Sequence, residues 1–106
     1  MNLDETLLYS TLYNIYGELL TEKQQQIFES YVFNNLSLAE IAENFNISRQ
    51  AVLDCVNKAC NQLKKYEETL FVNQNNVKIK CVLQEIKLNI NNEKLLKKID
   101  NLLETL

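Results

Sequence analysis

The chain has 106 residues, ordinary apolar content and a formal net charge of −3, which suits one packed domain of ~100 residues, with or without an extended tail. It contains no proline, one glycine (Gly17) and no histidine, a composition that points to an all-α fold. The mildly acidic balance excludes the strong positive field from which nucleic-acid binders usually draw non-specific affinity, and no run of ~18 apolar residues offers a membrane span.

Residues 3–20 carry apolar side chains at 8, 12, 15, 16, 19 and 20, which predicts a helix of ~18 residues with a broad apolar face. Asp4 and Glu5 favour its start through the helix dipole. Tyr9, Tyr13 and Tyr16 fall at i, i+4 and i+7 and form a tyrosine stripe, either a partner surface or a half-buried edge of the core. Thr21 opens a second helix with Gln24 placed for a capping box. Ile27, Phe28, Tyr31 and Val32 share its inner side, and Gln24, Gln25 and Gln26 are expected to face solvent. Asn34 and Asn35 read as a turn.

The central stretch is SLAEIAENFNISRQAVLDCVN, Ser37 to Asn57. Ser37 and Glu40 have capping-box spacing, and Leu38, Ile41, Ala42 and Phe45 form one apolar helix face. Ala42 is small where two helices must cross closely. Asn46 occupies the tight-turn position, where its tolerance of positive φ substitutes for the usual glycine. Ile47 plugs the angle, Ser48 caps the next helix, and Ala51, Val52, Cys55 and Val56 give that helix its buried side. The pattern is that of a helix-turn-helix. Helical spacing continues through Ala59, Cys60, Leu63, Tyr66 and Leu70, so the recognition helix runs about six turns. Its distal half must then pack on the first helix or on the C-terminal region.

Asn73 to Asn76 reads as a polar break, dividing a helix-turn-helix domain (1–72) from a C-terminal helical tail or hairpin (73–106). Ile79, Val82, Leu83 and Ile86 repeat like a helix, and Asn89 to Asn92 makes a turn. Leu95, Ile99, Leu102 and Leu106, with Leu96 and Leu103, form a seam that seeks another helix, in this chain or in a second copy. The expected architecture is a helical bundle of five to six helices around a central helix-turn-helix.

The spacings of Cys55, Cys60 and Cys81 match no zinc pattern, and without histidine they read as free, core or near-surface thiols. The start MNLDETLL is acidic and unlike a secretory signal, so a cytoplasmic protein is expected. Residues 1–47 carry seven acids and a single base, Lys23. No Gly-rich phosphate loop and no paired nucleophile and base are present, so neither catalysis nor a cofactor or metal is expected.

Residues 19 to 70, and above all their pieces LTEKQ, SLAEIAE, SRQAV and YEETL, resemble the YlxM family of small bacterial proteins. The resemblance covers roughly residues 3 to 72. It implies a helix-turn-helix similar to the −35-reading domain of sigma factors, and no catalytic activity. It also implies a gene placed beside those for the signal recognition particle GTPase and its receptor, and hence a regulatory or accessory role in that targeting pathway.

Two functions follow. In a DNA-binding protein, Ser48, Arg49, Gln50, Leu53, Asp54 and Asn57 would face the major groove, with Arg49 suited to guanine and Gln50 to adenine. Asn57, Lys58, Lys64 and Lys65 would reach phosphate. Leu53 and Asp54 fit a groove poorly, and Asp54 is also placed as an i, i+4 partner of Lys58. In a protein-interaction module for the particle's GTPase or receptor, the contacts would be Tyr9, Tyr13, Tyr16, Leu53 and Asp54.

Overall fold

The computed structural model describes all 106 residues. Six α-helices and no strands make up the chain, in agreement with the all-α expectation. The chain divides after Leu70 into two units, Met1–Leu70 and Phe71–Leu106.

In the first unit, α1 (Leu3–Tyr16) begins at Asn2, whose side-chain oxygen accepts from the Glu5 amide at 2.8 Å. It ends earlier than the expected 3–20. Gly17–Leu19 tighten into a 3-10 turn and Leu20 is extended, with ψ 159°. That extension turns Leu20 into the core and sets up the capping box of α2 (Glu22–Phe28), in which Thr21 and Gln24 bond reciprocally. The three glutamines do not all face solvent as expected. Gln24 is taken up in the cap, and half-buried Gln25 donates to the Leu20 carbonyl at 2.9 Å.

The continuous second helix also needs correction. After Phe28 it widens into a π-turn over Glu29–Phe33, closed by the Asn34 amide donating to the Glu29 carbonyl at 2.9 Å. The wider turn accompanies an aromatic cluster. Tyr13 stacks on Phe28 at 4.5 Å between centroids, and Phe33 packs against Tyr13 at 5.6 Å and Phe28 at 6.0 Å.

The pair α3 (Leu38–Phe45) and α4 (Arg49–Leu70) follows. At 22 residues, α4 is about 33 Å long, which bears out the expected long recognition helix. α1, α2 and α3 all pack on it. The core is Leu12, Tyr16, Leu20, Ile27, Phe28, Ile41, Ala42, Val52, Val56, Ala59, Cys60 and Leu63. Each fully buried Ile, Phe, Val or Leu here contributes about 1.5–3 kcal/mol. The distal half of α4 is covered by α1: Tyr16 donates to Glu67 at 2.7 Å and packs on Tyr66 at 5.9 Å.

The second unit is a helical hairpin, α5 (Val72–Leu88) and α6 (Glu93–Thr105). The stretch Asn73 to Asn76, read as a break, lies inside α5. The interruption falls at Phe71, which adopts left-handed φ 54°, so the non-helical residue is the one whose backbone turns rather than the polar run beside it. Asn92 caps α6 by accepting from the Lys94 and Leu95 amides, and Lys87 pairs with Asp100 at 2.6 Å between the two helices. Of the expected seam, Ile99 and Leu106 are half-buried, and Leu95 and Leu102 are exposed.

Candidate nucleic-acid interface

The angle between α3 and α4 is set by backbone chemistry that the sequence spells out. Ser37 and Glu40 form the capping box at the start of α3. At its end Asn46 takes φ 55°, ψ 47°, the left-handed conformation. The Ile47 amide donates to the Ala42 carbonyl at 3.0 Å, closing the turn. Ser48 Oγ accepts from the Ala51 amide at 3.0 Å and starts α4. Ile41 is fully buried, Ala42 nearly so, and Ile47 is half-buried in the corner.

This arrangement leaves Ser48, Arg49, Gln50, Asp54, Asn57 and Lys58 exposed on the first three turns of α4. Gln50 Nε2 donates to Asp54 Oδ1 at 2.9 Å, so the partner of Asp54 is Gln50 on the preceding turn, not Lys58. The bond ties one amide proton of Gln50 to an acceptor and leaves its carbonyl free. Gln50, Asn57 and Lys64 are spaced by seven and form nearly one line along the helix, and Lys58 and Lys65 lie on the next. Lys64 and Lys65 stand about 22–24 Å along the axis from Arg49.

The residues expected to form a protein-contact face are not brought together. Tyr16 is 3% exposed and belongs to the core, because α1 turns its i+7 position onto α4. Tyr13 is half-buried, stacked on Phe28, and donates to Glu29 at 2.8 Å. Burial and that hydrogen bond hold its phenol protonated far above the ordinary range. Only Tyr9 and Leu53 share a site, a cleft of about 350 Å³ that also touches Glu5, Tyr31, Asn57 and Asn61. Asp54 lines a different cleft, of about 370 Å³, on the opposite flank of α4.

In that second cleft α4 meets the start of α2: Lys23 lies beside Ile47, Cys55 and Lys58. Lys23 was not singled out as a contact residue from its sequence. The signal was present in its being the only base before residue 49, but nothing local says that α2 starts against the flank of α4. Cys55 is half-buried, Cys60 buried and Cys81 exposed. Burial pushes the Cys60 thiol up to about 11, with the Glu5 carboxylate adding to the rise. No helix is long and apolar enough to cross a membrane.

A family model described as "Putative helix-turn-helix protein, YlxM / p13 like" matches residues 3–102. A UPF0122 protein of Mycoplasma capricolum is 42% identical over 92 residues, covering 87% of this chain and 81% of the relative. One from Lactococcus lactis subsp. cremoris is 43% identical over 86 residues, 81% and 78% of the two chains. One from Caldanaerobacter subterraneus subsp. tengcongensis is 49% identical over 67 residues, 63% and 57% of the two chains.

Proposed function

The chain belongs to the UPF0122 family of YlxM- and p13-like helix-turn-helix proteins, and from that premise we propose that it is a non-enzymatic regulatory protein that binds DNA and serves the signal recognition particle targeting pathway. The observation that carries the DNA reading is the outward presentation of Ser48, Arg49, Gln50 and Asn57 on the exposed face of a recognition helix whose opposite face, at Val52 and Val56, is anchored in the core. Arg49 supplies a bidentate fork for guanine O6 and N7. Gln50 must exchange its bond to Asp54 for an adenine edge, which makes it the weaker reader. Lys58 contacts phosphate, and Lys64 and Lys65 add charge to backbone outside the groove. The link to the targeting pathway rests on the gene neighbourhood that the family resemblance implies. Leu95, Ile99, Leu102 and Leu106 are assigned to self-association.

A second reading, an accessory protein that binds the particle's GTPase or receptor without DNA, is favoured by one observation. The unit that carries the helix-turn-helix holds ten acidic side chains against five basic ones. Its contact would be the cleft shared by Tyr9 and Leu53.

A mobility-shift assay over a salt series, on its own promoter region and on random duplexes, separates the two. DNA binding weakens steeply with salt, with a slope of about −0.9 per phosphate contacted, and Arg49→Ala abolishes the preference for the promoter region. Unchanged affinity in that variant removes direct readout. Capture of the GTPase by the chain, lost in Leu53→Lys with helicity intact and accompanied by no DNA shift, establishes the second reading instead.

A further inference from the structure

The strongest unassigned feature is the cleft between the start of α2 and the flank of α4. The elements ahead of α4 carry seven acids and one base, and that base, Lys23, lies in this cleft. Across it stands Lys58, on the same helix as the exposed turns assigned to the groove. We propose that Lys23 and Lys58 together grip a backbone phosphodiester of DNA in this cleft while the adjoining first turns of α4 occupy the major groove. The proposal deepens the DNA reading above and rests on it.

Three further observations bear on it. Lys23, Lys58 and the half-buried Cys55 line the same cleft, and both ammonium groups favour ionisation of that thiol, against the larger effect of burial, which raises its pKa. Thr21 and Gln24 border the cleft; in the cap their side-chain oxygens accept from each other's backbone amides, so the Thr21 hydroxyl and the Gln24 Nε2 remain neutral donors beside the two charged lysines. One carboxylate, Asp54, also lines it, and its Oδ1 is occupied by Gln50. A phosphodiester carries a single negative charge per unit and suits a pair of flexible point-charge donors, which position the duplex and read no sequence. Lys23 comes from a different helix than the base-facing residues, so the grip fixes the angle at which α4 enters the groove. That is a positioning role, distinct from the recognition assigned to Arg49.

The test is the salt dependence of binding to two duplexes of equal length and different sequence, for the wild-type chain, Lys23→Ala, Lys23→Arg and Lys58→Ala. Lys23 is exposed, so its replacement leaves the helical circular dichroism and thermal unfolding unchanged. The expected result for Lys23→Ala is an equal fractional loss on both duplexes and a slope of log affinity against log salt flatter by about 0.9. Lys23→Arg restores the slope, and Lys58→Ala reproduces the alanine result. Asp54→Asn removes the negative charge beside the phosphate and tightens binding to both duplexes. If the wild-type chain binds DNA and Lys23→Ala keeps the wild-type slope, the grip is overturned and the role of α4 stands. A loss confined to one duplex also overturns it, because a phosphate contact is blind to sequence. Inorganic phosphate is expected to weaken duplex binding by the wild-type chain more than by Lys23→Ala, because it competes for the same cations. Absence of any DNA binding by the wild-type chain overturns both this proposal and the reading on which it rests.

Discussion

Gly17 shows how a single residue can be fixed by packing rather than by its own backbone. Its φ is −55°, which any residue adopts, yet a Cβ built there lies 2.9 Å from Tyr13 Cε2. The Tyr13 ring rests on the glycine and on Phe28, and its hydroxyl is tied to Glu29. Gly17→Ala must displace that ring, and we expect a loss of about 1–3 kcal/mol in denaturant unfolding. An unchanged midpoint would show that the ring yields without cost. Burial at Cys60 has a consequence in pH. An unfolded thiol ionises near 9.0 and the folded one near about 11, so in that window the folded chain holds a proton that the unfolded chain has lost. The stabilisation is intact below pH 9 and disappears as the pH rises through about 11. The thermal midpoint is therefore expected to fall between pH 9 and 11, and to fall less in Cys60→Ala. An equal fall in that variant contradicts the assignment.

The residues that were legible are those whose role is settled within four positions. Ser37, Glu40, Asn46 and Ser48 each act on backbone one turn away, and their capping and turn roles are those that spacing predicts. Tyr16 and Lys23 were not legible because their surroundings come from distant parts of the chain. The i, i+7 spacing of Tyr16 with Tyr9 says that they share a helix face, and only the crossing of α1 over α4 says that one of them is interior.

At the level of elements, α4 organises the first unit. Its buried side runs from Val52 to Leu63, and α1, α2 and α3 each cover part of it. Its length was readable because the apolar period never lapses before Leu70. The π-turn after α2 was not readable. A one-residue widening leaves the composition of Glu29–Phe33 unchanged and is decided by the fit of Tyr13, Phe28 and Phe33. The polar run Asn73 to Asn76 does not make the break expected of it, for a related reason. Asparagines look like a break, but they sit within α5 and Phe71 makes the turn. In α6, Leu95 and Leu102 are one heptad apart and each 46% exposed, which is the basis for assigning them to a second copy. Sedimentation is expected to show mass rising with concentration for the wild-type chain and a constant monomer mass for a Leu95→Gln, Leu102→Gln double variant. A wild-type chain that stays monomeric at every concentration contradicts that assignment.

At the scale of the whole molecule, charge is partitioned. The unit with the helix-turn-helix holds five bases against ten acids, and Phe71–Leu106 holds six bases against four acids. On the proposed DNA-binding reading, the first unit relies on a few placed cations rather than on a diffuse field, and binding is expected to be weak and strongly sensitive to salt. Three of the unit's five bases, Lys23, Arg49 and Lys58, lie beside or on the exposed turns of α4. On that reading the acidic residues elsewhere keep non-specific association low. The most direct measurement is the titration of a promoter duplex into isotope-labelled protein, followed by backbone amide chemical shifts. The account predicts perturbations concentrated at Ser48–Lys58 and around Lys23, fading as salt is raised. Perturbations gathered instead around Tyr9 and Tyr31, or none at any DNA concentration, would contradict it.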